Sequence, residues 1–142
     1  YNELLAGIVY GVIDKNDCTE IEACITEGKT DAVKAYDAFL LIETLDTLKM
    51  AKGFEMLASD YEDLPNLMTT CTSIQADIAS MESWASVFLE SPADLDALIH
   101  HNIKRHIIGL TADVATARKD WNNAEFFQFG ETLGEMLVIV TS

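Results

Sequence analysis

Apolar residues along most of this chain return every three or four positions, the interval that keeps them on one side of an α-helix. The pattern is cleanest from Asn66 to Phe88. There Leu67, Cys71, Ile74, Ile78, Met81, Ala85 and Phe88 form one seam, and Thr70, Thr72, Gln75, Asp77, Glu82 and Ser83 fill the gaps. This stretch reads as the central helix of an all-helical domain, with Cys71 in its buried seam.

The same periodicity predicts the other elements. A first helix runs from about Glu3 to Ile13, apolar on more than one face through Leu4, Leu5, Ile8, Val9 and Val12. Gly7 and Gly11 lie four apart and leave a smooth strip on which another backbone could rest closely, or are simply tolerated by tight packing. Asp17 with Glu20 has the form of a capping box and opens a short helix with Ile21, Cys24 and Ile25 on its apolar side, ended by Gly28. Thr30 caps a long helix from Asp31 to about Asp60, whose apolar residues wrap around the circumference between Phe39 and Leu48. Tyr61 to Pro65 is a turn. Ser91, Pro92 and Asp94 start a fourth long helix with Leu95, Ile99, Ile103, Ile107, Leu110, Val114, Ala117 and Trp121 as its seam. Asn122 and Glu125 look like the cap of a last helix, which carries a second small-residue strip at Gly130 and Gly134. The expected architecture is all-α, one domain over 1–142, an antiparallel bundle of about five helices.

Length agrees, since 142 residues suffice for one domain with a sizeable core. Charge narrows the partners. Nine basic against twenty-four acidic residues give a formal net charge of −15, which repels nucleic acid and anionic lipid headgroups. The longest apolar runs, Leu4 to Ile13 and Met136 to Val140, fall far short of the ~20 residues of a membrane span. The chain starts at Tyr1 without a methionine, which fits a product of signal-peptide removal and a secreted protein. Three cysteines then suggest one disulfide and one leftover thiol. The short connection at Pro65 sets Cys71 level with the last two turns of the preceding helix, which makes Cys24 its expected mate and leaves Cys18 over.

Candidate chemistry is sparse. His100, His101 and His106 with Asp113 are the group a search for metal ligands would catch. On a helix His101 and His106 point about 140° apart and His100 and His106 about 120°, so none stack as a shared metal requires. His106 is expected to flank the seam and hydrogen-bond inside the core. The acids at Asp14, Asp17, Glu20 and Glu22 lack the glycine of a calcium loop. No histidine or electropositive setting is placed around a cysteine to make it a nucleophile. There is no Gly-rich phosphate loop, and the basic residues gather only at Lys104, Arg105 and His106. No catalytic residue, metal or cofactor is expected.

An ordered set of short motifs carries a resemblance. Gly7 to Gly11, Glu20-Ile21 with Cys24-Ile25, Gly53 with Leu57, Leu64-Pro65 followed by Cys71, Ser91-Pro92, Asn102-Ile103 and Gly130 to Gly134 together resemble a family of small secreted helical proteins of ciliated protists. The resemblance implies a secreted helical fold and supports pairing of Cys24 with Cys71, while Cys18 departs from the family pattern. It implies no activity.

The expected function is that of a secreted, non-enzymatic structural protein that associates with itself into an oligomer or filament. Cys18, Gly7, Gly11, Gly130, Gly134, Phe39, Leu41 and Leu45 are the candidate contacts with a neighbouring copy. The alternative is a carrier of a small apolar ligand or lipid in a pocket among the helices. A third reading has His106 and a nearby carboxylate act as acid and base.

Overall fold

The computed structural model describes residues 2–13, 29–60, 79 and 92–142. Among these residues every regular element is a helix: α1 (Asn2–Ile13), α2 (Lys29–Ile42), α3 (Thr47–Asp60), α4 (Pro92–Arg105), α5 (Ile107–Asn122) and α6 (Phe126–Val140). The all-helical class is as the periodicity predicts, and where four helices are expected within the described residues there are six. Apart from Ala79, the stretch from Asn66 to Phe88 lies outside the described residues, and so do the short helix expected after Asp17 and all of Cys18, Cys24 and Cys71.

The extra helices come from two breaks that apolar spacing does not announce. The long helix expected from Asp31 to Asp60 is instead α2 and α3, joined by a corner at Glu43–Asp46. Short polar side chains make this corner. Thr44 Oγ1 donates to the Leu41 carbonyl (2.7 Å) and accepts from the Asp46 amide (3.3 Å). Asp46 Oδ1 accepts from the amides of Leu48 (3.0 Å) and Lys49 (3.2 Å), so it caps α3. Between them Leu45 is held at φ 57°, a left-handed conformation that costs a non-glycine residue on the order of 1 kcal/mol.

The helix expected from Ser91 to Trp121 bends at His106 (φ −114°, ψ 20°) into α4 and α5. Its hydrogen bonds continue through the bend: the His106 amide donates to the Asn102 carbonyl, and the Leu110 amide to the His106 carbonyl, both at 2.9 Å. Leu95, Ile99 and Ile103 before the bend and Leu110, Val114 and Ala117 after it are buried as expected, but Ile107 is turned out of the seam. His106, expected inside the core, is exposed.

Among the described residues α6 is the helix on which the others assemble. It is apolar around most of its circumference, and α1, α3, α4 and α5 all pack on it. Phe129, Leu133, Met136, Leu137 and Val140 are sealed from solvent, and Phe129 meets Phe39 of α2 edge to face at 5.1 Å. The C-terminus of α6 is closed by a side chain from α4: buried Asn102 donates from Nδ2 to the carbonyls of Val140 (2.9 Å) and Ser142 (3.1 Å). Those carbonyls have no partner within the helix, so a carboxamide placed in an otherwise apolar seam satisfies them.

The most extensive contact joins α1 to α6. A Cβ built on Gly7 would fall onto the Phe127 carbonyl oxygen and 2.9 Å from the Glu131 amide nitrogen, and one built on Gly11 onto the Glu131 carbonyl. Seen from the other side, a Cβ on Gly130 would meet the Leu4 carbonyl, and one on Gly134 would stand 2.5 Å from the Ile8 oxygen. Residue numbers rise together across the seam, so the first and last helices run parallel, backbone against backbone. The two glycine strips fill each other.

Candidate functional site

The residues expected to meet a neighbour divide into two groups, Cys18 lying outside the described residues. Gly7, Gly11, Gly130 and Gly134 are placed against one another within one chain, and Phe39 is buried in that chain's own core beneath the Arg118 guanidinium (5.1 Å to the ring centroid). Leu41 is half-buried and Leu45 is exposed. Among the described residues the large exposed apolar side chains gather mainly at the two helix breaks. Leu45 and Leu48 stand at the α2–α3 corner, with Leu48 74% exposed, and Ile107 and Ile108 stand at the α4–α5 corner, with Ile108 87% exposed. Val33 and Leu40 extend the first group along the outer side of α2.

The α4–α5 corner also carries cations. Lys104, Arg105, Ile107, Ile108 and Ile139 line a groove of about 340 Å³ beside Gly109, where an added Cβ would meet nothing within 4 Å. Neither Lys104 nor Arg105 makes an ion pair among the described residues. Arg118, by contrast, is engaged: its Nη2 and Nε donate to Glu43 Oε2 at 2.7 and 2.9 Å, which ties α5 to the residue following α2.

A second concave feature lies between α1, α2, α5 and α6. This cleft of about 470 Å³ is lined by Leu4, Ala32, Val33, Tyr36, Trp121 and Phe126. Tyr36 and Trp121 stack with their centroids 3.9 Å apart and their planes 11° apart, and Phe126 stands edge-on to Trp121 at 5.2 Å. The volume falls within the range of pockets that take small organic ligands, and the walls are almost wholly apolar.

Three carboxyls among the described residues are held above their ordinary range. Glu55 of α3 shares a hydrogen bond with Asp96 of α4; burial first, then that bond and the Asp96 charge, push its pKa from 4.5 to about 7. Asp96 Oδ1 in turn stands 3.4 Å from His100 Nε2. Burial, then the hydrogen bond and charge of Glu125, raise the Asp120 carboxyl, and burial alone raises Asp113. His106 makes no side-chain hydrogen bond or ion pair among the described residues, and no group of three His, Cys, Asp or Glu there could hold a metal ion. Among the described residues no helix is long and apolar enough to cross a membrane.

An acidic chain whose regular elements, among the described residues, are all helices is thereby defined. The chain belongs to the secreted protein B-like (SctB-like) family, whose model matches residues 1–142. It is a secreted protein, as the sequence reading expects; the match says nothing of ciliated protists. No curated protein and no solved structure matches the chain.

Proposed function

We propose that the chain is a non-enzymatic structural protein that associates with copies of itself outside the cell. The observation that supports this most directly is the collection of large apolar side chains at the two helix corners. Single exposed hydrophobic residues are ordinary on any surface, whereas grouped ones mark contact surfaces. Secretion, given by family membership, places the protein where an assembled product would act. The test is mass in solution by light scattering over a wide concentration range. Growth of the weight-average mass with concentration supports the reading, and one-chain mass at the highest concentration removes it.

The aromatic cleft favours a second reading, a carrier of a small apolar ligand. Extraction of the natively secreted protein with organic solvent, followed by mass spectrometry, decides it. A stoichiometric apolar compound supports a carrier; an empty extract together with no change in Trp121 fluorescence on titration with neutral aromatic compounds removes it.

A further inference from the structure

Residues 97–112 contain no Asp or Glu, the longest such run in a chain of net charge −15, and at its middle the bend at His106 brings out Lys104, Arg105, Ile107 and Ile108 together. We propose that this α4–α5 corner is one half of a head-to-tail contact between copies, and that the α2–α3 corner with Leu45 and Leu48 is the other half. The proposal rests on the reading of self-association and adds which surfaces meet and with what symmetry.

Charge decides the symmetry. Two α4–α5 corners facing each other across a two-fold axis would oppose Lys104 and Arg105 to their own copies, and like charges placed directly together disfavour such a pair. The corner therefore seeks a different surface on the next molecule. Copies of an acidic chain repel each other overall, so a locally cationic patch is where approach is least opposed. An apolar pair as exposed as Ile107 and Ile108 calls for an apolar counterpart. Leu48, the other large apolar side chain more than 70% exposed among the described residues, supplies it, with Leu45 and Leu40 adjoining. Asp46 is exposed at that corner and Asp37 on the side of α2 that leads to it, while Glu43 is already paired with Arg118 and Lys49 is also exposed. Open space around Gly109 lets the partner come close to the α5 backbone. Joining unlike surfaces produces a ring if the rotation closes and a filament if it does not.

The test pairs two variants at exposed positions, Ile108→Glu and Leu48→Lys, each checked by circular dichroism for unchanged helix content. Ile108→Glu spoils the α4–α5 half and keeps the other; Leu48→Lys does the reverse, setting a cation against Lys104 and Arg105. By sedimentation velocity each variant alone is expected at the mass of one chain where the parent protein has grown, and an equimolar mixture is expected to stop at two chains. A parent chain that never leaves one-chain mass overturns the self-association reading itself. Growth of the parent with undiminished growth of Ile108→Glu or of Leu48→Lys overturns this interface and leaves self-association standing. Two blocked variants that fail to pair when mixed overturn the head-to-tail arrangement.

Discussion

Alanine at Gly7 or Gly130 is the sharpest test of the parallel seam between α1 and α6. In a helix interior Gly→Ala ordinarily stabilises by about 1 kcal/mol, because alanine restricts the unfolded backbone. Here the new methyl has no room. At Gly7 and Gly130 it would fall onto a backbone carbonyl of the facing helix and stand 2.9 Å from the next amide nitrogen, and backbone cannot swing aside as a side-chain end can. Restoring ordinary contact requires the helices to part by more than about 1 Å, and a gap of about 0.5–1 Å already forfeits roughly a quarter to a half of the dispersion along it. The contact being loosened is large. Leu4, Leu5, Ile8 and Val9 are each no more than 2% exposed, and at about 1.5–3 kcal/mol apiece their burial amounts to on the order of 6–12 kcal/mol. A quarter of that, less the gain from alanine, leaves a net loss of about 0.5–2 kcal/mol for either single substitution, overlapping the span typical of overpacked cores.

Urea and thermal unfolding followed by circular dichroism, on dilute protein, read this directly. At this chain length each kcal/mol corresponds to roughly 2–4 °C in Tm. Gly134→Ala, with its nearest neighbour at 2.5 Å, is expected to lose less than Gly7→Ala. Gly109→Ala, in open space on α5, is expected to gain about 0.5–1 kcal/mol. If Gly7→Ala and Gly130→Ala are stabilised as Gly109→Ala is, the two strips do not face each other and the seam as described is wrong.

Asn102→Leu removes the donor that closes α6 and is expected to cost about 1–3 kcal/mol, with amide exchange accelerated in the last turn of α6; unchanged protection there would show that the carboxamide is not the cap. Glu55 holds a proton in the folded chain up to about pH 7 but, unfolded, only to about 4.5, so its contribution is fully present below about 4.5 and is lost as pH rises through about 7. Glu55→Gln is expected to flatten stability across that window and to stabilise at pH 8 by about 1 kcal/mol, the full shift being discounted for the half-exposed site; a parent profile that rises with pH through the window would contradict the raised pKa. Cys24 and Cys71 are expected to appear as one disulfide-linked peptide pair in non-reduced digests, with Cys18 either alkylated or linking two copies; a Cys18–Cys24 pair would refute the assignment.

Helix existence was legible because each buried stripe is a period in the sequence. Leu95, Ile99 and Ile103 and then Leu110, Val114 and Ala117 are buried just where spacing puts them. The breaks were not legible from that period, which continues through both. Thr44-Leu45-Asp46-Thr47 does contain the local signal, two short polar side chains able to cap, but strong apolar residues on both sides hide it. The glycine strips were legible as close-packing surfaces, while their partners were not, since a strip at Gly7 and Gly11 is equally suited to its own C-terminal helix or to a neighbour's. Asn102 gave its sign as a carboxamide between Ile99 and Ile103, a polar group in a seam that must find partners once buried. The corner cations were visible as a sequence cluster, and their exposure beside Ile108 was not, because it depends on the turn at His106.

The two breaks and the two exposed apolar corners are the same places, and one cause links them. Were α4 and α5 a single straight helix, Ile107 would continue the seam of Ile99 and Ile103; the bend turns it outward and sets Ile108 beside Lys104 and Arg105. Were α2 and α3 continuous, Leu45 and Leu48 would lie along a helix flank; the Thr44 and Asp46 hydrogen bonds fold them into a corner, with Leu45 held in a conformation no leucine prefers. A corner that stores strain and presents apolar side chains to water lowers the stability of the isolated chain twice over. Departures from local consistency concentrate where a protein meets something else. A second copy that covers Leu48 with Ile108 would offset the exposure at both corners in one contact.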